Sequence, residues 1–153
     1  MSIAVIPGDG IGKDVTAEAI KVLDAVGDAS GRPLERVMLP WGADHFLATG
    51  ETMPQNGYAM LRDDFDAILL GALGDPRVPD FRHAREILLG TRFALDLYVN
   101  FRPVRLLDDR LCPLKGRGRA DVNFVVIREN TEGVYVGVGG RFKAGTPDEI
   151  AVQ

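Results

Sequence analysis

An α/β fold is predicted by three observations: an apolar run ending in a glycine-rich turn ahead of an amphipathic stretch, a second continuous apolar run near residue 70, and a glycine- and proline-bearing loop after that run. Ile3, Ala4, Val5 and Ile6 are followed by Pro7-Gly8-Asp9-Gly10, which suits a buried strand and then a turn. From residue 12 to about residue 26, Val15, Ala19, Val22, Leu23 and Val26 recur at spacings of three and four. They therefore share one helical face, and Gly27 is the predicted stop.

Residues 34–39 read as a second strand, and residues 43–48 and 57–61 as two short helices, the latter beginning near Pro54. Asp66-Ala67-Ile68-Leu69-Leu70-Gly71 is continuously apolar at its centre, as expected of a parallel strand covered on both faces. Residues 71–79 hold Gly71, Gly74, Pro76 and Pro79 and leave the end of that strand, where open α/β sheets place ligands. A helix is predicted over residues 81–90. Strands follow at 97–104 and 123–127, separated by a polar, glycine-rich stretch at 115–119.

The character of the chain changes near residues 98–100, from helix-rich α/β units to strands and turns. Residues 1–99 are accordingly read as the N-terminal part of a first α/β domain, and residues 100–153 as the start of a second. The second stretch is turn-rich around Gly137-Val138-Gly139-Gly140, and a strand is only beginning at Ile150. A domain of that size is marginal without partners. No internal repeat is present.

At 153 residues the chain is long enough for one ordinary core, and 46% apolar with 26% charged residues is a globular balance that excludes a disordered or collagenous chain. The net charge of −4 gives no general attraction to nucleic acid or anionic lipid, so an anion must be met by a local cluster of arginines. Cys112 is the single cysteine, which rules out an intrachain disulfide and fits a reducing compartment. No His or Cys spacing resembles a zinc site. The opening residues lack a basic segment and a long apolar run, so a cytoplasmic location is expected.

Gly8-Asp9-Gly10-Ile11-Gly12 joins a strand to a helix, a context in which backbone amides receive an anion. A tight turn with positive φ and no ligand explains the same spacing. Arg92, Arg102 and Arg128 each flank an apolar run, and arginine suits bidentate carboxylate recognition, so three converging would read a di- or tricarboxylate. Surface arginines are the plain alternative. Tyr135 stands seven residues after Arg128 and is either a proton donor assisted by a nearby cation or a half-buried strand aromatic; no lysine stands close in sequence. His45 and His83 are isolated and read as structural or surface residues. Asp63-Asp64 and Asp108-Asp109 read as solvated turn charges, and Leu88-Leu89 as core.

Taken together, four segments resemble the β-decarboxylating dehydrogenases, the family acting on isopropylmalate, isocitrate, homoisocitrate and tartrate. They are Ile3 through Gly12, Leu69-Leu70-Gly71-Ala72, Arg92 through Asn100-Phe101-Arg102-Pro103, and Arg128-Glu129-Asn130-Thr131-Glu132-Gly133-Val134-Tyr135. The resemblance implies the isopropylmalate dehydrogenase-like α/β fold, which is not a Rossmann fold. It implies that Arg92, Arg102 and Arg128 clamp malate carboxylates and that Tyr135 protonates the enol carbon after decarboxylation. Ile11 and the loop Gly71, Ala72, Leu73, Gly74 and Asp75 correspond to segments lying against a nicotinamide cofactor.

The implied reaction is oxidation of a hydroxyl-bearing carbon by NAD, followed by loss of carbon dioxide promoted by Mg²⁺ or Mn²⁺. For the substrate, isocitrate enzymes carry a serine and an asparagine where this chain has Glu86 and Leu88, and Leu88-Leu89 favours the apolar group of 3-isopropylmalate. The stretch from Arg128 to Gly133 is closer to the isocitrate, homoisocitrate and tartrate branches. The helix faces the variable group and is given more weight, which points to leucine biosynthesis. The resemblance further implies a homodimer, and metal ligands, a partner lysine and an adenosine loop in a second half not seen here. The chain is therefore expected to be a fragment or split subunit, inactive alone; a non-catalytic dicarboxylate-binding subunit is the alternative.

Overall fold

A computed structural model describes residues 1–153, and the chain divides into two compact units, Met1–Leu95 and Asp96–Gln153. In the first unit, β1 (Ser2–Ile6) is the central strand of a three-stranded parallel sheet, flanked by β2 (Glu35–Met38) and β3 (Ala67–Leu70). Val5 stands beside Met38 on one side and Leu69 on the other. A strand paired on both sides needs apolar residues throughout, and Ile3, Ala4, Val5 and Ile6 are all buried.

α1 (Ile11–Ser30) runs past Gly27 and ends at Gly31, whose φ of 63° gives the left-handed cap. Gly27 has no positive φ and acts within the helix, so the predicted stop is one turn early. The predicted apolar face is also displaced. Val15, Val22 and Val26 are 49%, 62% and 51% exposed, whereas Gly12 and Thr16 are buried. Small residues let the helix approach the loop after β3 closely, and a pattern of hydrophobicity does not register them.

α2 (Ala43–Thr49) and α3 (Gly57–Asp63) follow the sequence expectation closely. The helix expected over residues 81–90 is instead three pieces: α4 (Arg82–Arg85), a π turn (Glu86–Gly90) and α5 (Thr91–Ala94). Ala4, Ile6, Leu39, Trp41, Leu61 and Ile87 form the core, with Met53, Phe65 and Leu95 packed around it. Ile6, Leu61 and Ile87 are essentially sealed from solvent, a burial contributing about 1.5–3 kcal/mol for each side chain.

In the second unit, β4 (Val99–Arg105) and β5 (Asn123–Glu129) form an antiparallel ribbon, and β6 (Gly140–Phe142) pairs antiparallel with β7 (Ile150–Val152). Its only buried residue is Asn130. No helix in either unit is long and apolar enough to cross a membrane.

Candidate active site

The turn after β1 is built around Asp9. Its carboxylate is 5% exposed and accepts from the Ala43 amide at 2.6 Å, the Gly74 amide at 2.8 Å and His83 Nε2 at 2.8 Å. Its own amide donates to the Ala72 carbonyl at 2.7 Å. One side chain thus ties the first glycine turn to the start of α2, to the loop after β3 and to α4. Because the carboxylate is an acceptor, His83 Nε2 carries the hydrogen; Nδ1 is buried with no partner. His83 is fully buried, stacked beside Phe46, and belongs to this hub, so it is a structural histidine with a definite task.

Gly8 is required by close approach. With φ 75°, it lies where a Cβ would fall 2.1 Å from the Ala72 carbonyl oxygen. The first-turn amides of α1 are already used, Gly12 by the Asp9 carbonyl and Lys13 by the Gly10 carbonyl. These two amides are therefore satisfied within the turn itself. Ile11, at the head of α1, is 68% exposed and offers an apolar surface. Of the loop residues Gly71, Ala72, Leu73, Gly74 and Asp75, the Ala72 carbonyl and the Gly74 amide are held by Asp9.

Asp75 is bound by Arg77, which also reaches Asp44, itself paired with Lys13. The Arg77 guanidinium and amide hold the Asp75 carboxyl down at about 2. Of these positions, Ile11 is the exposed apolar one and Asp75 is a charged one held by Arg77. A cleft of about 320 Å³ lies nearby between Pro7, Ile20, Met38, Trp41 and Asp44, but neither Ile11 nor Gly71–Asp75 lines it.

Leu88 and Leu89 lie half-buried on the π turn, and Arg92 half-buried on α5. Glu86 does not stand free toward a ligand: its carboxylate accepts from the hydroxyl of buried Thr52.

The second unit brings Arg102, Arg128 and Tyr135 together. Arg102 stands opposite Val126 and Arg128 opposite Asn100, so the two arginines share a face as diagonal neighbours. Asn100 ties Arg102 to Asn130: its Oδ1 accepts from Arg102 Nε at 3.0 Å, and its Nδ2 donates to Asn130 Oδ1 at 3.2 Å. Glu129 then turns the chain. Its carboxylate accepts from the Thr131 hydroxyl at 2.7 Å and from the Thr131 and Glu132 amides, contacts that hold its pKa below the usual range, the Thr131 hydroxyl foremost.

The turn delivers Tyr135 back to Arg128, whose guanidinium donates to the phenol oxygen and lies 4.8 Å from the ring centroid. Tyr135 sits on a 3₁₀ turn and not on a strand. The cation beside it is an arginine seven residues back and not a lysine. His83 is structural, one of the two readings its isolation in sequence allowed, while the roles of Asp9 and Asn100 escape sequence reasoning; for Asn100 the signal is present, since positions 100 and 102 of a strand share a face. No group of three or more His, Cys, Asp or Glu is placed to hold a metal ion.

Against known proteins, residues 2–153 match the family model described as isocitrate/isopropylmalate dehydrogenase. A protein named 3-isopropylmalate dehydrogenase from Mycobacterium bovis is 48% identical over 153 residues, covering 100% of this chain and 44% of that protein. An apo β-decarboxylating dehydrogenase from Thermococcus kodakarensis superposes with TM-score 0.62 at 33% identity, over 99% of this chain and 39% of that one. An isocitrate dehydrogenase from Methylococcus capsulatus gives TM-score 0.74 at 27% identity, over 99% and 41%. The chain thus spans less than half the length of these relatives.

Proposed function

This chain belongs to the isocitrate/isopropylmalate dehydrogenase family, and we propose that it carries the substrate-carboxylate and proton-donor residues of an NAD-dependent oxidative decarboxylase of 3-isopropylmalate, acting in cytoplasmic leucine biosynthesis. The observation that carries the substrate choice is the apolar pair Leu88-Leu89 ahead of Arg92, together with relatives named for 3-isopropylmalate. The competing signal is the stretch from Arg128 to Gly133, and one of its residues, Asn130, has a structural task. That side chain is 5% exposed and spent on Asn100 and the Leu97 carbonyl, so it holds the ribbon and does not select a substrate.

In this reading Arg92, Arg102 and Arg128 bind the malate carboxylates, each as a fork-shaped donor. Asn100 orients Arg102. Ile11 and Gly71–Asp75 would hold a nicotinamide cofactor, which would supply the hydride acceptor. Tyr135 gives its proton to the carbon left when carbon dioxide departs, and Arg128 faces the charge that develops on the phenol oxygen as it does so. The Mg²⁺ or Mn²⁺ of the family has no three-ligand group among these residues, and no step is assigned to it. Residues 1–99 form part of the first domain and residues 100–153 the start of the second, which takes part in a homodimer.

The isolated chain is expected to bind 3-isopropylmalate by titration calorimetry, more tightly than isocitrate, and to lose that binding in Arg102→Ala. It is expected to form no NADH with 3-isopropylmalate, NAD and Mg²⁺. Absence of any malate binding overturns the substrate reading; turnover at an ordinary dehydrogenase rate overturns the inactivity of the 153 residues.

A further inference from the structure

The helix bearing Leu88, Leu89 and Arg92 is not continuous, and the interruption has a visible cause. Across Glu86–Gly90 the ladder widens from i→i+4 to i→i+5, a geometry that is rare in helices and frequent at functional sites. The side chain set against this turn is Tyr58, from α3. Its hydroxyl donates to the Glu86 carbonyl oxygen at 2.9 Å. A Cβ on Gly90 would lie 2.0 Å from the Tyr58 hydroxyl oxygen and 2.9 Å from its Cζ, so only glycine leaves room for the ring tip. Burial, and then the Glu86 charge, raise the Tyr58 pKa above its ordinary value, which keeps the hydroxyl a donor. Thr52 takes the Glu86 carboxylate, so this residue is held by backbone and side chain together.

The consequence is angular. One extra residue in a turn rotates everything after it by roughly 100° relative to an uninterrupted helix. His83, before the π turn, keeps its bond to Asp9, while Arg92, after it, is turned to a different bearing. Leu88 and Leu89 lie within the turn itself.

We propose that Tyr58, seated on Gly90, is a positioning residue for substrate selectivity: its contact with the Glu86 carbonyl holds the π turn that sets Leu88 and Leu89 against Arg92. This rests on the reading that those three residues meet the substrate. In Tyr58→Phe the ring stays and the donor goes. Hydrogen exchange and Cα chemical shifts over residues 86–92 should move toward a regular helix, and the affinity ratio for 3-isopropylmalate over isocitrate should fall about tenfold, the lower end of what one apolar contact discriminates. Gly90→Ala should lower the ratio likewise, and adding Tyr58→Ala to it should restore the fold by removing the collision.

A merely structural Tyr58 would weaken both ligands equally and leave their ratio alone. An unchanged ratio in Tyr58→Phe, with Arg92→Ala abolishing binding, overturns the wedge and leaves the site reading standing. If Arg92→Ala binds 3-isopropylmalate as well as the unaltered chain, or if the unaltered chain binds neither ligand, the site reading fails and the wedge with it.

Discussion

Asp9 shows how much one buried carboxylate can organise. Removing it in Asp9→Ala strands His83 and the Ala43 and Gly74 amides, so the first unit should lose about 3–5 kcal/mol, read as a lower urea midpoint. Asp75 differs because its partner is at the surface. Its folded pKa of about 2 lies below the ordinary 3.8, so its contribution is complete above about pH 4 and lost as the pH falls through about 2. Asp75→Asn should flatten that part of the acid-unfolding curve, and salt should weaken the same limb. Little of this was legible beforehand. Nothing in the order of residues says that position 9 meets 43, 74 and 83, whereas Arg128 and Tyr135 are marked by the resemblance to the family, and spacing alone does not show the turn that joins them.

At the level of elements, strands were the easiest to read, because continuous apolar runs such as Ile3 to Ile6 have few other uses. Helix limits were harder. Gly27 reads as a stop, yet it is an interior residue of α1, and a Cβ there would meet nothing closer than the Arg32 carbonyl at 3.4 Å. Gly27→Ala should therefore raise stability by about 0.5–1 kcal/mol, seen as a higher urea midpoint at an unchanged slope. A distorted or displaced α1 in that variant would instead show that the glycine is needed for close approach. The π turn was invisible for a different reason: its cause lies on another helix, and Glu86 through Gly90 carry no local mark of the pressure from Tyr58.

On the scale of the whole molecule, the two units are unequally built. The buried cluster lies wholly between Ala4 and Ile87, while Phe101, Phe124 and Ile127 of the ribbon are 63%, 51% and 70% exposed. Native-state hydrogen exchange should separate them, with β1 amides protected close to the global limit and β4–β5 amides exchanging orders of magnitude sooner. Equal protection of both would contradict this division. The α/β class and the motif order were readable from one chain, and the division of labour between units was not, because it depends on what each side chain packs against.

The central place of β1 also bears on how the chain is made. This strand is synthesised ahead of both neighbours, and Asp9 waits for His83, which follows 74 positions later. At usual translation speeds that interval is roughly 4–15 s. During it β1 lacks its β3 neighbour and the Asp9 carboxylate gains its contacts in turn, from Ala43, then Gly74 and last His83, so the hub closes only once α4 has been made.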